Sequence, residues 1–425
     1  MSYRLNVKRA VKALFALQNG DGGFPAVQAG HNSGCWTTAD ALEAILVSAS
    51  PEYLRHTSVV KAVVFLLGSQ VMESAPDGTV QSGGWPLFQD KHALCTMATG
   101  HAVAALALAR KYLDDTPLEE RIDRAIDLGF RWLERHQNND GSWGAFPGQG
   151  PAGDESRTVA NYYACLPYYY SGLSPDRSQT YRRGLAALRT SQHADGSWGD
   201  HPGSDGNASD TARAVIALTR AVVDPAATDT AARRGVSFIL SVRDRRALWD
   251  LDSERVFPEG APAQLVINKN TCSDVLLALS VTRSTGPHFM ALLAWMMSSQ
   301  QDDGLWLLCS PSRTVRDIST WSTAEWITAV EYAWRAVQVS DVVRSQLNGR
   351  RVQRLLVLLI IVCVLILISF TPFRDVITGA WQSLPVFVQQ LILFSVALSL
   401  VVNLASSFVY DLFKRFTTGD EKKPK

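Results

Sequence analysis

From Met1 to Leu17, basic and apolar residues alternate at helical spacing. The same amphipathic pattern returns along the chain, for example at Leu185 and Leu188. Stretches of this kind predict helices that bury one stripe and expose the rest. Each is paired with a second helical stretch rich in alanine and leucine, such as Ala212 to Leu218. A short phrase stands between the two. It reads Gln18 to Phe24 with Asp21-Gly22, Gln137 to Trp143 with Asp140-Gly141, Gln192 to Trp198 with Asp195-Gly196, and Gln300 to Trp306 with Asp303-Gly304. All four fit Gln-x-x-Asp-Gly-x-Trp/Phe, and a looser copy joins Gln70 to Gly84-Trp85 across an insertion. Successive glutamines are 52, 67, 55 and 108 residues apart. The last interval is two units long, so a degenerate copy is expected near Val242 to Trp249, after the helix pattern that includes Phe238 and Ile239. That makes six units of about 55 residues.

Asp-Gly supplies the sharp turn, because glycine accepts the positive φ that ends a helix. The aromatic residue after it is expected to tuck between neighbouring hairpins as packing. Six hairpins predict an all-α fold, an (α/α)6 toroid of inner and outer helices whose inner N-termini surround a central cavity. Repeats alone also allow an open superhelix, but six is the number that closes.

A second repeat opens the inner helices: Thr38-Ala39-Asp40, Thr99-Gly100-His101, Val159-Ala160-Asn161, Thr211-Ala212-Arg213, Cys272-Ser273-Asp274 and Thr323-Ala324-Glu325. The third residue is polar each time. In a closed ring Asp40, His101, Asn161, Arg213, Asp274 and Glu325 would share one level, either facing a ligand or capping their helices. Capping suits the carboxylates and the amide. It does not suit His101 and Arg213, since a cation is disfavoured near a helix N-terminus.

The four phrases resemble the Gln-Trp motifs of the superfamily that holds squalene–hopene cyclase, oxidosqualene cyclase and the protein prenyltransferase β-subunits. The resemblance covers about residues 1–340 and implies a six-hairpin barrel; it does not by itself settle activity. Class II cyclases of that group protonate an alkene or epoxide with an Asp in Asp-x-Asp-Asp-Thr-Ala or Asp-Cys-Thr-Ala-Glu. The nearest matches here, Asn207 to Ala212 and Trp321 to Glu325, carry Ser209 and Trp321 in place of the donor. Asp210, one position away, is the candidate catalytic acid left by the resemblance. The cyclases also use two barrels, and this chain has residues for one. The zinc chemistry of the prenyltransferases needs Asp, Cys and His around one ion. Asp90, His92, Cys95 and His101 are the only local cluster of those types, and their spacing matches no metal pattern, so no metal site is expected. No Asp-Asp-x-x-Asp sequence is present, and nothing names a cofactor. The fifth unit carries Arg243, Arg245, Arg246, Asp250, Asp252 and Glu254, a charged insertion expected to be a solvated loop or a partner surface.

Composition narrows the partners. The chain is 47% hydrophobic and 19% charged with a formal net charge of +1, which leaves no basic footprint for nucleic acid. Six scattered cysteines, with Cys363 inside an apolar run, predict a reducing compartment without a disulfide framework. The first 17 residues lack the apolar core and cleavage site of a signal peptide, so the folded part is expected in the cytoplasm.

Past residue 350 the pattern changes. Leu355 to Phe373 are 19 residues without a charge, and Val376 to Tyr410 are 35. A span takes about 20 residues, so two spans are expected, the second from Val386 to Tyr410. Arg344, Arg350, Arg351 and Arg354 precede the first, and Lys414 and Arg415 follow the second. The excess of positive charge outside the pair predicts a cytoplasmic (inner) membrane protein with the ring and both termini in the cytoplasm. The expected division is a ring over 1–340, a basic linker over 341–354, a membrane hairpin over 355–412 and a charged tail over 413–425. Ser395, Ser399, Asn403, Ser406 and Tyr410 form a polar stripe about 80° wide, which suits packing on the first span or a homo-oligomer.

Two functional classes follow. One is an enzyme or carrier for an isoprenoid or similar apolar lipid. The other is a sensor–effector whose ring binds a ligand or protein while the hairpin oligomerises or perturbs the membrane. An aromatic ring interior favours the first, and a charged one the second.

Overall fold

The computed structural model describes residues 3–26, 32–48, 50–88, 93–113, 117–222, 229–246, 248–256, 265–310, 314–315 and 319–338, all within the unit Met1–Asp341. Helices of two kinds alternate along it. The outer ones are α1 (Tyr3–Leu17), α3 (Thr57–Gly68), α5 (Glu119–Arg135), α7 (Gln179–Thr190), α9 (Thr230–Ser241) and α11 (Pro287–Ser298). The inner ones are α2 (Cys35–Val47), α4 (Thr96–Arg110), α6 (Thr158–Tyr170), α8 (Ala208–Arg220), α10 (Thr271–Val281) and α12 over residues 320–338.

Patterning explains the division. In α5 the buried positions are Ile122, Ala125, Leu128, Gly129, Trp132 and Leu133, a single 3.6-period stripe. Glu119 and Glu120 stand in its first turn and Arg135 in its last, as the helix dipole prefers. In α4 every residue from Thr96 to Ala109 is buried, because the helix is small and apolar all round. Small residues let the inner helices touch: a Cβ on Gly100 would lie 2.2 Å from the Tyr163 carbonyl oxygen.

The recurring phrase is the joint between units. Gln192 Nε2 donates to Gly196 O (2.9 Å) and to Ala231 O (2.9 Å) in the first turn of the next outer helix. Asp195 Oδ1 accepts from the Ser197 amide and hydroxyl, which shapes the turn. Gly196 has φ +94°, and a Cβ there would lie 2.7 Å from the Arg234 carbonyl oxygen of α9. Trp198 is fully buried, and its Nε1 donates back to Leu188 O. Gln137 and Gln18 make the same pair of bonds, to Thr180 O and Ser58 O across the joint.

The last joint closes the ring. Gln300 Nε2 donates to Asn6 O of α1 at 2.9 Å, and Arg9 donates back to Asp302 O at 2.7 Å. Arg335 of α12 donates to Val47 O of α2, and Trp36 and Trp321 pack with centroids 5.6 Å apart. The open superhelix is thereby excluded. The degenerate fifth joint is also where the spacing put it. Trp249 Nε1 donates to Ile239 O, ten residues back, as Trp143, Trp198 and Trp306 do to Leu133, Leu188 and Met296.

Short antiparallel ribbons fill the gaps between outer and inner helices: β1 (Phe24–Pro25) with β2 (Ser33–Gly34), β3 (Val71–Ser74) with β4 (Val80–Gly84), β5 (Ser253–Val256) with β6 (Leu265–Asn268), and β7 (Leu308–Cys309) with β8 (Thr314–Val315). The second ribbon, with Val71 opposite Gly84, is the insertion that loosened the Gln70 copy of the phrase.

The expected two-span location in a cytoplasmic membrane is corrected. Among the described residues no helix is long and apolar enough to cross a membrane. The longest, α12, is interrupted by Glu325, Glu331 and Arg335, and charges at such positions oppose insertion. The stretches on which the expectation rested, Leu355 to Phe373 and Val386 to Tyr410, lie outside the described residues, as do the linker, the polar stripe and the tail.

Candidate functional site

The inner helices run in one direction, so equivalent positions meet. Thr38, Thr99, Thr211 and Thr323 each accept the backbone N–H of the aromatic residue in their own joint, which fixes the helices at one height. The third residues of the triplets lie four to six positions into their helices and none is the N-cap residue. Capping falls to others: Asn207 accepts the Asp210 amide at 2.8 Å.

Most of the expected polar ring assembles. His101 Nδ1 lies 3.1 Å from Asp40 Oδ1, off the hydrogen-bond direction, and its Nε2 lies 2.7 Å from Glu43 Oε2. Arg213 Nε lies 3.2 Å from Asp274 Oδ2, and its terminal nitrogen 3.8 Å from Glu325 Oε1. Asn161 stands apart, with its amide on its own helix at Arg157 O (2.7 Å). Below this level Tyr170 donates to Glu43 Oε1 at 2.5 Å, and the Arg213 guanidinium lies 6.0 Å from the Tyr163 ring.

The carboxyls differ in charge. Burial, then the nearby Glu325 and Glu43, push Asp40 well above the usual carboxylate range. Burial and Asp274 do the same to Glu325. Both therefore hold their protons more tightly than an ordinary carboxyl, and Asp40 Oδ2 and Glu325 Oε2 have no hydrogen-bond partner. Burial alone would raise Glu43 too, but the hydrogen bond and charge of His101 bring it below its ordinary value.

Asp210 lies elsewhere. It is fully buried and receives Lys269 Nζ at 2.5 Å, while Lys269 also reaches Asp200 Oδ1 at 2.5 Å. Against burial, Lys269 holds Asp210 down at about 2, so it keeps its charge and has no proton to give at neutral pH. The two positions of the family's donor are also occupied otherwise. The Ser209 hydroxyl donates to Asp274 Oδ2 at 2.5 Å, and Trp321 packs on Trp36. Asp252, expected in a solvated loop, accepts the Ser209 amide at 3.1 Å and so belongs to the ring. Cys95 is buried at the start of α4, Asp90 and His92 lie outside the described residues, and no metal-binding group is found among the described ones.

Asp200 carries a pH signature. Burial and the hydrogen bond with Asp210 raise it to about 7, far above an unfolded aspartate. A carboxyl raised in the folded state favours folding at low pH and loses that contribution as pH rises towards its folded value. Asp210, lowered to about 2, acts only below the ordinary aspartate range. The melting temperature should therefore fall between about pH 5 and pH 7 more steeply in the parent than in Asp200→Asn. Parallel curves for the two would show that Asp200 does not bind this proton.

Sequence reasoning missed Glu43, Tyr170, Arg220 and Lys269. Three had a signal: Glu43 and Arg220 stand three and seven residues after a triplet's polar residue, on the same face of an otherwise apolar helix, and Tyr170 ends such a helix. Lys269 had none, lying two residues before α10 and outside both repeated phrases.

Known proteins with this pattern fall in one group by sequence. The chain is 28% identical over 276 residues to a drimenyl diphosphate synthase of Streptantibioticus cattleyicolor, covering 65% of this chain and 46% of that protein. It is 30% identical over 219 residues to a drimenyl diphosphate synthase of Streptomyces showdoensis (49% and 35%). A probable squalene–hopene cyclase of Sinorhizobium fredii is 25% identical over 251 residues (53% and 37%). The chain thus spans less than half the length of these relatives. No protein-family profile matches it. Among solved structures a type II terpene cyclase from Scytonema aligns with a TM-score of 0.50 at 17% identity, covering 78% of this chain and 98% of that one. An α-1,6-mannanase of a Salegentibacter species aligns at 0.55 and 9% identity, covering 79% and 100%. These structures share the ring fold alone, and a mannanase beside a terpene cyclase shows that the fold does not choose the chemistry. The sequence likenesses support the cyclase superfamily.

Proposed function

We propose that the ring binds an isoprenoid or similar apolar chain and can donate a proton to it from Asp40, with Glu325 as a second buried carboxyl beside it. The observation that carries this reading is the buried level of Asp40, Glu325, Asp274, Arg213 and His101 at the N-terminal ends of the inner helices. It stands in the same ring as Ser209, where the related cyclases place their donor. A carboxyl raised well above the usual range keeps its proton to higher pH, which a general acid needs first. Tyr162, Tyr163 and Tyr170, all buried, add aromatic surface. The sequence relatives, a drimenyl diphosphate synthase and a probable squalene–hopene cyclase, support an isoprenoid as the ligand.

A raised acid is a weaker acid. It suits a substrate oxygen, or an alkene only slowly, and strong-acid cyclisation of squalene is not expected of Ser209 or Trp321. One specific observation favours a binding role without catalysis: His101–Glu43 and Arg213–Asp274 are already paired inside the ring. Extraction and mass spectrometry of the purified protein test binding, and an isoprenoid should be found. Assay of terpene products with isoprenoid substrates tests the acid. Turnover should fall by about 10²–10⁴ in Asp40→Asn, and isoprenoid retention should not. Turnover unchanged in Asp40→Asn would remove Asp40 as the donor, and absence of any bound or converted isoprenoid would remove the reading.

A further inference from the structure

Arg220 ends α8, seven residues beyond Arg213 and so about 10 Å further along the inner helices. Its guanidinium lies 4.7 Å from the centre of the Tyr169 ring, 5.1 Å from Tyr332 and 5.6 Å from Tyr170. Its Nε and both terminal nitrogens are buried, and none has a hydrogen-bond partner. Ring faces attract the charge but offer no lone pair to the five N–H donors of the fork. A buried, unanswered donor set of this kind is costly and rare in folded proteins. Glu43, whose charge reaches Arg220, is already engaged by His101 and Tyr170.

A second guanidinium stands close by. Arg335 lies 5.5 Å from the centre of the same Tyr332 ring and donates to Val47 O at 2.7 Å. Two like charges over one ring repel unless something negative is between or beside them. The hydroxyls of Tyr169 and Tyr332, 3.4 Å apart, add polar groups at the same place. Exposure is graded: Arg335 is exposed, Tyr332 and Tyr169 are half-buried, and the Arg220 nitrogens are buried. The approach therefore runs from solvent inward. Helix C-terminal carbonyls at this end oppose an anion, and the Arg335 bond to Val47 O offsets one of them.

We propose that Arg220 and Arg335, with the Tyr169 and Tyr332 hydroxyls, form an anion site at the C-terminal end of the inner helices that takes a phosphate-type head group. An anion with several oxygens can meet both planar forks at once, which guanidinium recognises better than a point charge would. The site rests on its own geometry. That the head belongs to an amphiphile whose apolar tail lies in the ring rests on the function proposed above.

The test uses the full chain and two probes. Inorganic pyrophosphate, titrated calorimetrically against chloride of equal ionic strength, should bind saturably to the parent. Its affinity should fall at least about tenfold, a loss of about 1.4 kcal/mol, in Arg220→Met and in Arg335→Gln. Arg335 is exposed, so its variant reports even if the buried Arg220→Met fails to fold. Farnesol, which has the tail and no charge, should bind the parent and both folded variants alike. No saturable pyrophosphate binding, or equal binding in parent and Arg335→Gln, overturns the anion site. Pyrophosphate binding without farnesol binding upholds the site and sinks the isoprenoid reading instead.

Discussion

Lys269→Met should destabilise the ring by about 3–5 kcal/mol, the effect of removing one partner from a buried ion pair. Lys269 is fully buried at the entrance to α10, and its ammonium serves Asp210 and Asp200 at 2.5 Å each. Without it, Asp210 keeps the Asn207 side-chain amide and the hydrogen bond from Asp200, and a buried carboxylate must either stay charged against that burial or take up a proton. The cost should be largest near neutral pH and shrink under acid, where Asp210 is protonated in either variant. Adding Asp210→Asn to Lys269→Met should recover a large part of the loss, because the stranded charge has gone. Urea unfolding at pH 7 measures both. A Lys269→Met protein within about 1 kcal/mol of the parent would mean that the ammonium does not hold these carboxylates together.

Trp198→Ala should cost about as much, 3–5 kcal/mol, for a different reason. The indole is fully buried, and its edge fills the space where a Cβ on Gly235 of α9 would stand, 2.9 Å away. Trp143 meets Gly184 of α7 in the same way, with 2.4 Å to the site of a Cβ. The joints of Trp85, Trp143 and Trp198 thus lock an aromatic ring into a notch that Gly129, Gly184 or Gly235 opens in the next outer helix, a position where glycine would otherwise cost about 1 kcal/mol. Removing the ring leaves a void and strands the Leu188 carbonyl that Nε1 satisfies. Trp198→Phe should cost less, since most of the volume remains. A melting temperature unchanged in Trp198→Ala would remove the joint as a source of stability.

Much of the ring was legible in the sequence because its instructions are local. The helical stripe, the Asp-Gly turn with positive φ at Gly196 and Gly304, and the aromatic residue after it act within a dozen residues of one another. Repetition then amplifies a weak signal, so that even a fifth copy without its Gln, Asp or Gly could be placed at Trp249. The polar triplet was legible for the same reason. Equivalent residues on parallel helices held at one height, as Thr211 and Thr323 hold α8 and α12, must come level.

What those residues do to one another was not legible. His101 bonds Glu43 across 58 residues, Lys269 reaches Asp210 across 59 and Tyr170 reaches Glu43 across 127. Pairing at such separations depends on which rotamers the packed ring allows, and a repeat pattern carries no information on that. So the sequence by itself determined a six-unit ring, its joints and the level of its polar residues. Only the tertiary structure decided that Asp210 is held charged by Lys269 and that Asp40 and Glu325 are raised well above the usual carboxylate range. It alone gathered three tyrosine rings around Arg220, because burial and the sum of neighbouring charges exist only once the ring is closed.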